Sequence, residues 1–431
     1  MTTRAAPGPD SLRQNLLALY LLQAANYGMP MLIVPFLVRA VGIENFGLIA
    51  FAQAVVQYFV FAVDSGFNNN ATREIAVHSH QPGAVLEIYW ATQTIRAVML
   101  LLATVVFVLL LLLVPRFGVH WQLYLLSYLT VLGTFVFSPW LYQGLERMRL
   151  MAALQVSGRI LAVVALVVLI RESDDYILAA GIQASATLVS GLLGFVICLR
   201  SGMLRWQRPT TAAIRRIWHQ GRPLFWSEFL GTCVSNSGIF VLGLVASSGV
   251  VGAYAAIEKL VRALMSSYLP ISQALLPRVA IRLSLASLIR QTRRRLRMLT
   301  VGLFAVAVVG ASMVSVYASS LLAVIFGPDL AQHGTLLAVL IWVLPLDVVN
   351  VAIGQLFVFA AGHRIAYANT LTAAASIQGA LLLALVAPMG SYGVAAALLA
   401  AQLCMLVMLL HVLFRLRQRP ARAVVSQGVA T

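Results

Sequence analysis

The sequence predicts an all-α integral membrane protein: twelve transmembrane helices in two six-helix bundles, with both termini in the cytoplasm. Three observations carry that expectation. Of 431 residues, 61% are hydrophobic and only 10% are charged, and the mean hydropathy is +0.91. A soluble domain carries about 25% charged residues, so this chain lacks the polar surface that water demands. Twelve stretches are apolar over the roughly 20 residues that a helix needs to cross about 30 Å of hydrocarbon. The Arg residues, finally, are gathered on one set of connecting segments.

The spans fall at about 14–38, 44–66, 88–114, 121–143, 152–170, 177–199, 223–247, 250–273, 298–320, 333–359, 365–387 and 391–414. Before the first lie polar residues with Pro7, Gly8 and Pro9. A signal peptide would show an apolar stretch ending at a small-residue cleavage site, so the first apolar stretch is expected to stay as a span. That span contains Asn26, Gly28, Pro30 and Pro35. Proline removes a backbone donor and kinks a helix, and the freed carbonyls need a cavity or a partner. The third span is the most apolar, with no charge from Ala97 to Val114. The seventh and eighth are the weakest because they carry charges, and the Ser247-Ser248-Gly249 turn joins them. In the tenth, Pro345 precedes Asp347 and Asn350. Trp121, Trp140, Trp206 and Trp218 fall at predicted membrane interfaces, where indole anchors.

Cytoplasmic loops of inner-membrane proteins retain positive charge. With the N-terminus inside, cytoplasmic segments hold 23 Arg and the outer face holds three, Arg39, Arg116 and Arg171. The net charge of +17 then divides into +19 inside, −2 outside and zero within the spans. It reports orientation rather than nucleic-acid binding. The Arg-rich stretch 200–222 separates the halves, giving a cytoplasmic segment 1–13, a first bundle 14–199, the linker, a second bundle 223–414 and a basic tail 415–431. A weak internal echo accompanies the halves. Val41 to Gly47 leads into a span whose sixth following residue is Gln53, and Val250-Val251-Gly252 into one whose sixth is Glu258.

Several chemistries are excluded. The single Lys, Lys259, sits in Ala-Ala-Ile-Glu-Lys-Leu and not in a phosphate-cradling Gly-x-x-x-x-Gly-Lys loop. Cys198, Cys233 and Cys404 lie apart in apolar stretches, and the His78/His80 pair has no carboxylate or thiol cluster beside it, so no cofactor or metal is expected.

The zero within the spans is the functional signal. Arg96, Arg159, Lys259 and Arg262 stand against Asp64, Glu228, Glu258 and Asp347. Each ionisable group at bilayer depth costs about 2.5–3.5 kcal/mol on insertion scales, so such groups face a cavity or one another. Glu258 and Arg262 are four residues apart on one helix face, and Lys259 and Arg262 three apart. The group reads either as an ion pair that satisfies itself or as a cationic patch with one charge left over. Glu228 and Asp347 are isolated acids, open to ion coupling or to pairing with a neighbouring Arg.

Specific strings add a family. Pro35-Phe36-Leu37-Val38-Arg39-Ala40-Val41-Gly42 followed by Phe46-Gly47 resembles the opening of the Wzx-type O-antigen and exopolysaccharide flippases, with Val41 where that family usually has Leu. Asp64-Ser65-Gly66-Phe67, Ala71-Thr72-Arg73-Glu74-Ile75-Ala76, Val251-Gly252-Ala253-Tyr254 through Lys259, and Leu276-Pro277-Arg278 are similar to later motifs of that family, in the same order. The resemblance implies a flippase of the multidrug/oligosaccharidyl-lipid/polysaccharide exporter superfamily, with its two bundles in a V. Such a protein moves an undecaprenyl-diphosphate-linked oligosaccharide from the cytoplasmic to the periplasmic leaflet of the inner membrane. Its partners would be that glycan lipid, the bilayer, and the polymerase and glycosyltransferases of the same pathway, with no nucleic acid.

A diphosphate needs cationic partners. Arg39, Lys259 and Arg262 are the expected head-group residues, with Arg96 and Arg159 behind them. Asp64, Glu228, Glu258 and Asp347 are expected in ion coupling or internal pairing. Two other readings stand beside this one. A drug/cation antiporter of the same superfamily would share the architecture. A membrane-embedded glycan polymerase or ligase would need a sizeable outer loop with catalytic residues, and the outer loops here are short.

Overall fold

The computed structural model describes residues 12–64, 66–268, 279 and 289–418. Residues 1–11, Ser65, the Leu276-Pro277-Arg278 string and the tail beyond Gln418 lie outside the described residues, as does the Glu228 side chain. The chain divides into two compact units, Met1–Lys259 and Leu260–Thr431.

The first unit opens with α1 (Leu12–Asp64), continuous through Pro30 and Pro35 and leaving helical geometry at Gly42, where φ is +83°. The α2 helix (Asn68–Val77) follows the turn at Gly66, and α3 (Pro82–Leu113) is the apolar helix anticipated at Ala97–Val114. Next come α4 (Trp121–Ser127), α5 (Leu129–Val136) and α6 (Pro139–Gly144), three pieces of one membrane-crossing stretch. The α7 (Met148–Leu169) and α8 (Tyr176–Arg200) helices pack against each other and against α1 and α5. Small residues permit that contact: Gly133 faces the backbone of Thr187 and Leu188, and Gly158 faces Ala186 and Ser190. The second half of the Arg-rich stretch is helical, starting α9 (Thr211–Ser235), with Ala213 N–H capped by Thr210 Oγ1 at 3.2 Å. Then follow α10 (Ser237–Val245) and α11 (Ser248–Ser266), within which the two units divide.

The second unit holds α12 (Ile289–Val316), α13 (Ala318–Phe326), α14 (Gly334–Leu340), α15 (Val343–Val351) and α16 (Arg364–Gln418). Between α15 and α16 the backbone widens into a π-helix, Ala352–Phe359, with Ala360 N–H bonded to Gln355 O at 3.0 Å. The α16 helix is interrupted at Gly390, where φ is +54°.

Among the described residues, eight helical stretches are long and apolar enough to cross a membrane. Two of these, Gly28–Val77 and Ile365–Arg415, run about 50 residues, or roughly 75 Å at 1.5 Å per residue, more than twice a hydrocarbon core. The 19-residue α11 is held back by Glu258, Lys259 and Arg262. Large apolar side chains stand outward along α3 and α12, as at Leu112 (75% exposed) and Val306 (71%). A surface of that kind calls for lipid, and the chain is a multi-pass membrane protein.

Three of the four Trp expected at interfaces are partly or fully exposed, Trp218 stacking on Phe67. Trp140 is different. It is buried inside the first unit against Tyr89, with ring centroids 5.2 Å apart, because α6 turns it inward rather than toward the membrane surface.

Candidate functional site

The family-like strings that start at Pro35, Asp64 and Val251 include corners of the first unit. Gly42 supplies the positive φ that breaks α1, and the Asn45 amide then ties the turn by donating to Ser173 O at 2.9 Å and Val41 O at 3.1 Å. One residue on, Phe46 is buried with its ring 5.4 Å from Lys259 Nζ. Gly47 and Gly252 let α1 and α11 meet backbone to backbone. At the other end of α1, Gly66 adopts φ +81° against the backbone of Phe225, and Phe67 is buried between Trp218 and Phe225.

Asp64 and Arg96, predicted separately, form an ion pair of 3.0 Å with Arg96 fully buried. Arg96 also donates to Val63 O, Thr134 O and Phe135 O, and to Gln93 Oε1 and Ser138 Oγ. Arg159 donates to Asn26 Oδ1. Asp64 and Arg159 line one cavity of about 190 Å³ with Thr134, Gln155 and Ser190.

Lys259 donates to Gln53 Oε1 at 3.3 Å, and Gln53 Nε2 donates to Gln183 Oε1 at 3.2 Å. Gln53 and Gln57 border a second cavity of about 230 Å³. Gln53, Gln57 and Asp64 thus share one side of α1 with Val60 between them, at positions spaced four, three and four apart. Glu258 is buried beside Lys259, whereas Arg39 and Arg262 are exposed.

In the second unit, the Asp347 carboxylate accepts from Tyr268 Oη and, at 3.0 Å, from Gln402 Nε2. Gln402 Oε1 in turn accepts from Asn350 Nδ2 at 2.6 Å. Arg262 lies within electrostatic reach of Asp347. The π-helix begins two residues after Asn350, and such irregular turns are frequent at functional sites.

Attention to ionised groups alone overlooks Gln53, Gln57, Gln183, Tyr268 and Gln402. The available signal was two amides one turn apart in the middle of the second span.

An apolar helical fold with polar side chains lined up inside defines a multi-pass membrane protein. It is similar to a solved lipid II flippase MurJ in an inward closed conformation (TM-score 0.70, 14% identity, 94% of this chain and 88% of that one). It is also similar to an inward-facing multidrug resistance MATE family transporter (TM-score 0.65, 12% identity, 94% and 98%). The chain belongs to the polysaccharide biosynthesis protein family, whose pattern it matches over residues 12–283. That is the stretch carrying the strings quoted above. A protein of Escherichia coli K12 named "Putative O-antigen transporter" is 29% identical over 270 residues, 63% of this chain and 65% of its own length. A protein of the same name from Shigella dysenteriae is 27% identical over 282 residues, covering 62% and 67%.

Proposed function

We propose that this protein is a flippase for a lipid-linked polysaccharide precursor. It carries an undecaprenyl-diphosphate-linked oligosaccharide from the cytoplasmic to the periplasmic leaflet of the inner membrane by alternating access. One observation carries the reading: Lys259, the only Lys in the chain, is hydrogen-bonded to Gln53 of α1, which borders a cavity lined by neutral polar side chains. A cation there serves a diphosphate, and the neutral polar side chains beside it serve the sugars. Membership of a polysaccharide biosynthesis family supports this reading over drug export. Arg39, Arg262 and Arg159 are the further cations proposed for the head group. Asp347, Glu228 and Glu258 would take part in ion coupling or internal pairing.

Twelve spans fit this function. The long helices α1 and α16, each broken at a glycine, supply two apiece. The seventh and eighth are α9–α10 and α11, which carry Glu228 and the Glu258, Lys259 and Arg262 group. Six-span halves at 14–199 and 223–414, both termini cytoplasmic, follow from that count and from the Arg distribution. The glycosyltransferases and polymerase of the pathway are then its functional neighbours.

Reconstitution with a fluorescently labelled polyprenyl-diphosphate oligosaccharide tests the proposal. Transfer faster than in protein-free vesicles is expected, slowed at least tenfold when Arg39, Lys259 and Arg262 are together replaced by Gln. Transfer no faster than in empty vesicles would end the flippase reading, and an unimpaired triple variant would end the cationic-site reading.

A further inference from the structure

We propose that the amide-lined cavity inside the first unit is a recognition subsite for one sugar ring of the translocated lipid, adjoining the diphosphate position at Lys259. The inference rests on the flippase reading. The cavity, about 230 Å³, is bordered by Gln53 and Gln57 of α1, Ser127 and Thr130 on either side of the break between α4 and α5, and Gln183 of α8. Its remaining lining is Val and Ala, so no lining side chain is ionised or aromatic. Ser127 is 2% exposed, and its Oγ has no hydrogen-bond partner in the protein.

Five neutral polar side chains around one space are unexpected at mid-span, where an unsatisfied polar group costs several kcal/mol. Their chemistry specifies the occupant. Amides and hydroxyls both donate and accept, which matches a ring of hydroxyl groups that do the same. A phosphate would require cations in the wall, and an apolar cation would be drawn to aromatic faces. The volume lies below the roughly 300 Å³ at which pockets for drug-sized ligands begin, so the space suits one ring and not a whole repeat unit. Gln53 links the two subsites, accepting from Lys259 and donating to Gln183. A charge beside a hydroxyl-reading cavity is the arrangement that a diphosphate-linked sugar presents.

The experiment compares two ligands on the full chain in nanodiscs: bare polyprenyl diphosphate, and the same carrier bearing the host cell's own oligosaccharide. Binding is read by native mass spectrometry. The wild type should bind the glycan-bearing carrier at least tenfold more tightly. Gln57→Leu should erase that preference, and Ser127→Ala should reduce it severalfold, both leaving affinity for the bare carrier unchanged. A wild type that does not distinguish the two carriers overturns the subsite, as do variants that keep the preference or weaken both ligands alike. A wild type that binds neither carrier overturns the flippase reading itself. Where a Leu variant fails to fold, Asn at the same position shortens the amide's reach and replaces it, while Ser127→Ala removes only one unpaired oxygen.

Discussion

Arg96 Nη2 donates to Asp64 Oδ1 at 3.0 Å, joining the middle of α3 to the last residue of α1. The same guanidinium donates to the orphan carbonyls at the end of α5, bonding Thr134 O at 2.6 Å and Phe135 O at 3.3 Å. A helix end buried in an apolar bundle must find such donors. Arg96 therefore knots three helix segments at one point and holds Asp64 at the edge of the cavity that Arg159 shares.

Breaking that knot from either side should be unequal. Removing one partner of a buried pair typically costs about 3–5 kcal/mol, and Arg96→Gln also orphans backbone carbonyls. Asp64→Asn keeps an acceptor for Arg96 and leaves the carbonyl bonds in place, so its loss should be smaller, about 1.5–3 kcal/mol, the size of one charged hydrogen bond. Thermal unfolding of the purified variants in detergent checks the order. Equal losses would mean that the ion pair, and not the carbonyl capping, carries the stability.

The contact between Gly47 and Gly252 is the tightest helix crossing in this corner of the first unit. A Cβ at Gly47 would lie 1.8 Å from Ser248 O, and one at Gly252 would lie 2.1 Å from Ile43 O. Neither backbone can yield locally, so Gly47→Ala and Gly252→Ala should each force α1 and α11 apart. Lys259, two turns further along α11, would then lose Gln53. Overpacking of this kind costs about 1–3 kcal/mol. Transport should fall at least tenfold at matched membrane levels. Gly302→Ala and Gly310→Ala in α12, where a new Cβ meets nothing within 4 Å, should be neutral or stabilising by up to about 1 kcal/mol. Transport that survives at Gly47→Ala would show that the crossing is not needed for function.

The same corner shows what was legible in the chain. Hydropathy located the helices because lipid imposes a length and an apolar composition on each of them. The Gly42, Asn45, Phe46 and Gly47 string announced a turn, although not that its glycine would meet Gly252 of the echoing string. Pairings between distant residues were not readable: Asp64 and Arg96 are 32 positions apart, and Gln53 and Lys259 are 206 apart. Periodicity reports which face of a helix is polar, not which other helix it meets. The polar face of α1 was harder still, because neutral amides leave no trace in a charge count. Pro30 and Pro35 suggested a break in α1, yet the departure from helical geometry is at Gly42, where a positive φ is available without strain.

Asp347 offers a test of ion coupling. Its carboxylate accepts from Tyr268 and Gln402, and Arg262 is near enough to act on its charge. Asp347→Asn preserves the shape but removes the charge and turns one acceptor into a donor. If Asp347 couples transport to protons, the variant should lose its response to an imposed pH gradient while still equilibrating labelled lipid between leaflets. Proteoliposomes with and without the gradient distinguish the two activities. A variant that still responds fully would assign Asp347 to internal pairing.

Arg116 leads to the last prediction. Its guanidinium caps the end of α10, donating to Leu244 O at 2.6 Å and to Gly243 O, and it lies 5.5 Å from the Phe51 ring centroid. The α10 helix thereby gains a cation at its negative end, worth about 0.3–1 kcal/mol when exposed and up to about 2 when partly buried. A cavity of about 310 Å³ lies beside this contact, lined by His120, Tyr124, Gly243 and Ser248 among others. The two carbonyls are met by two different nitrogens of one planar fork, a geometry that the compact Lys ammonium does not reproduce, so Arg116→Lys should behave more like Arg116→Ala than like the wild type. Loosening the cap should open the cavity. In a background with Cys198, Cys233 and Cys404 replaced, a cysteine at position 120 should react with a membrane-impermeant maleimide at least threefold faster in either variant than beside the native Arg116. Unchanged labelling, with transport at the wild-type rate, would reduce Arg116 to a surface charge with no part in closing this end of the helix bundle.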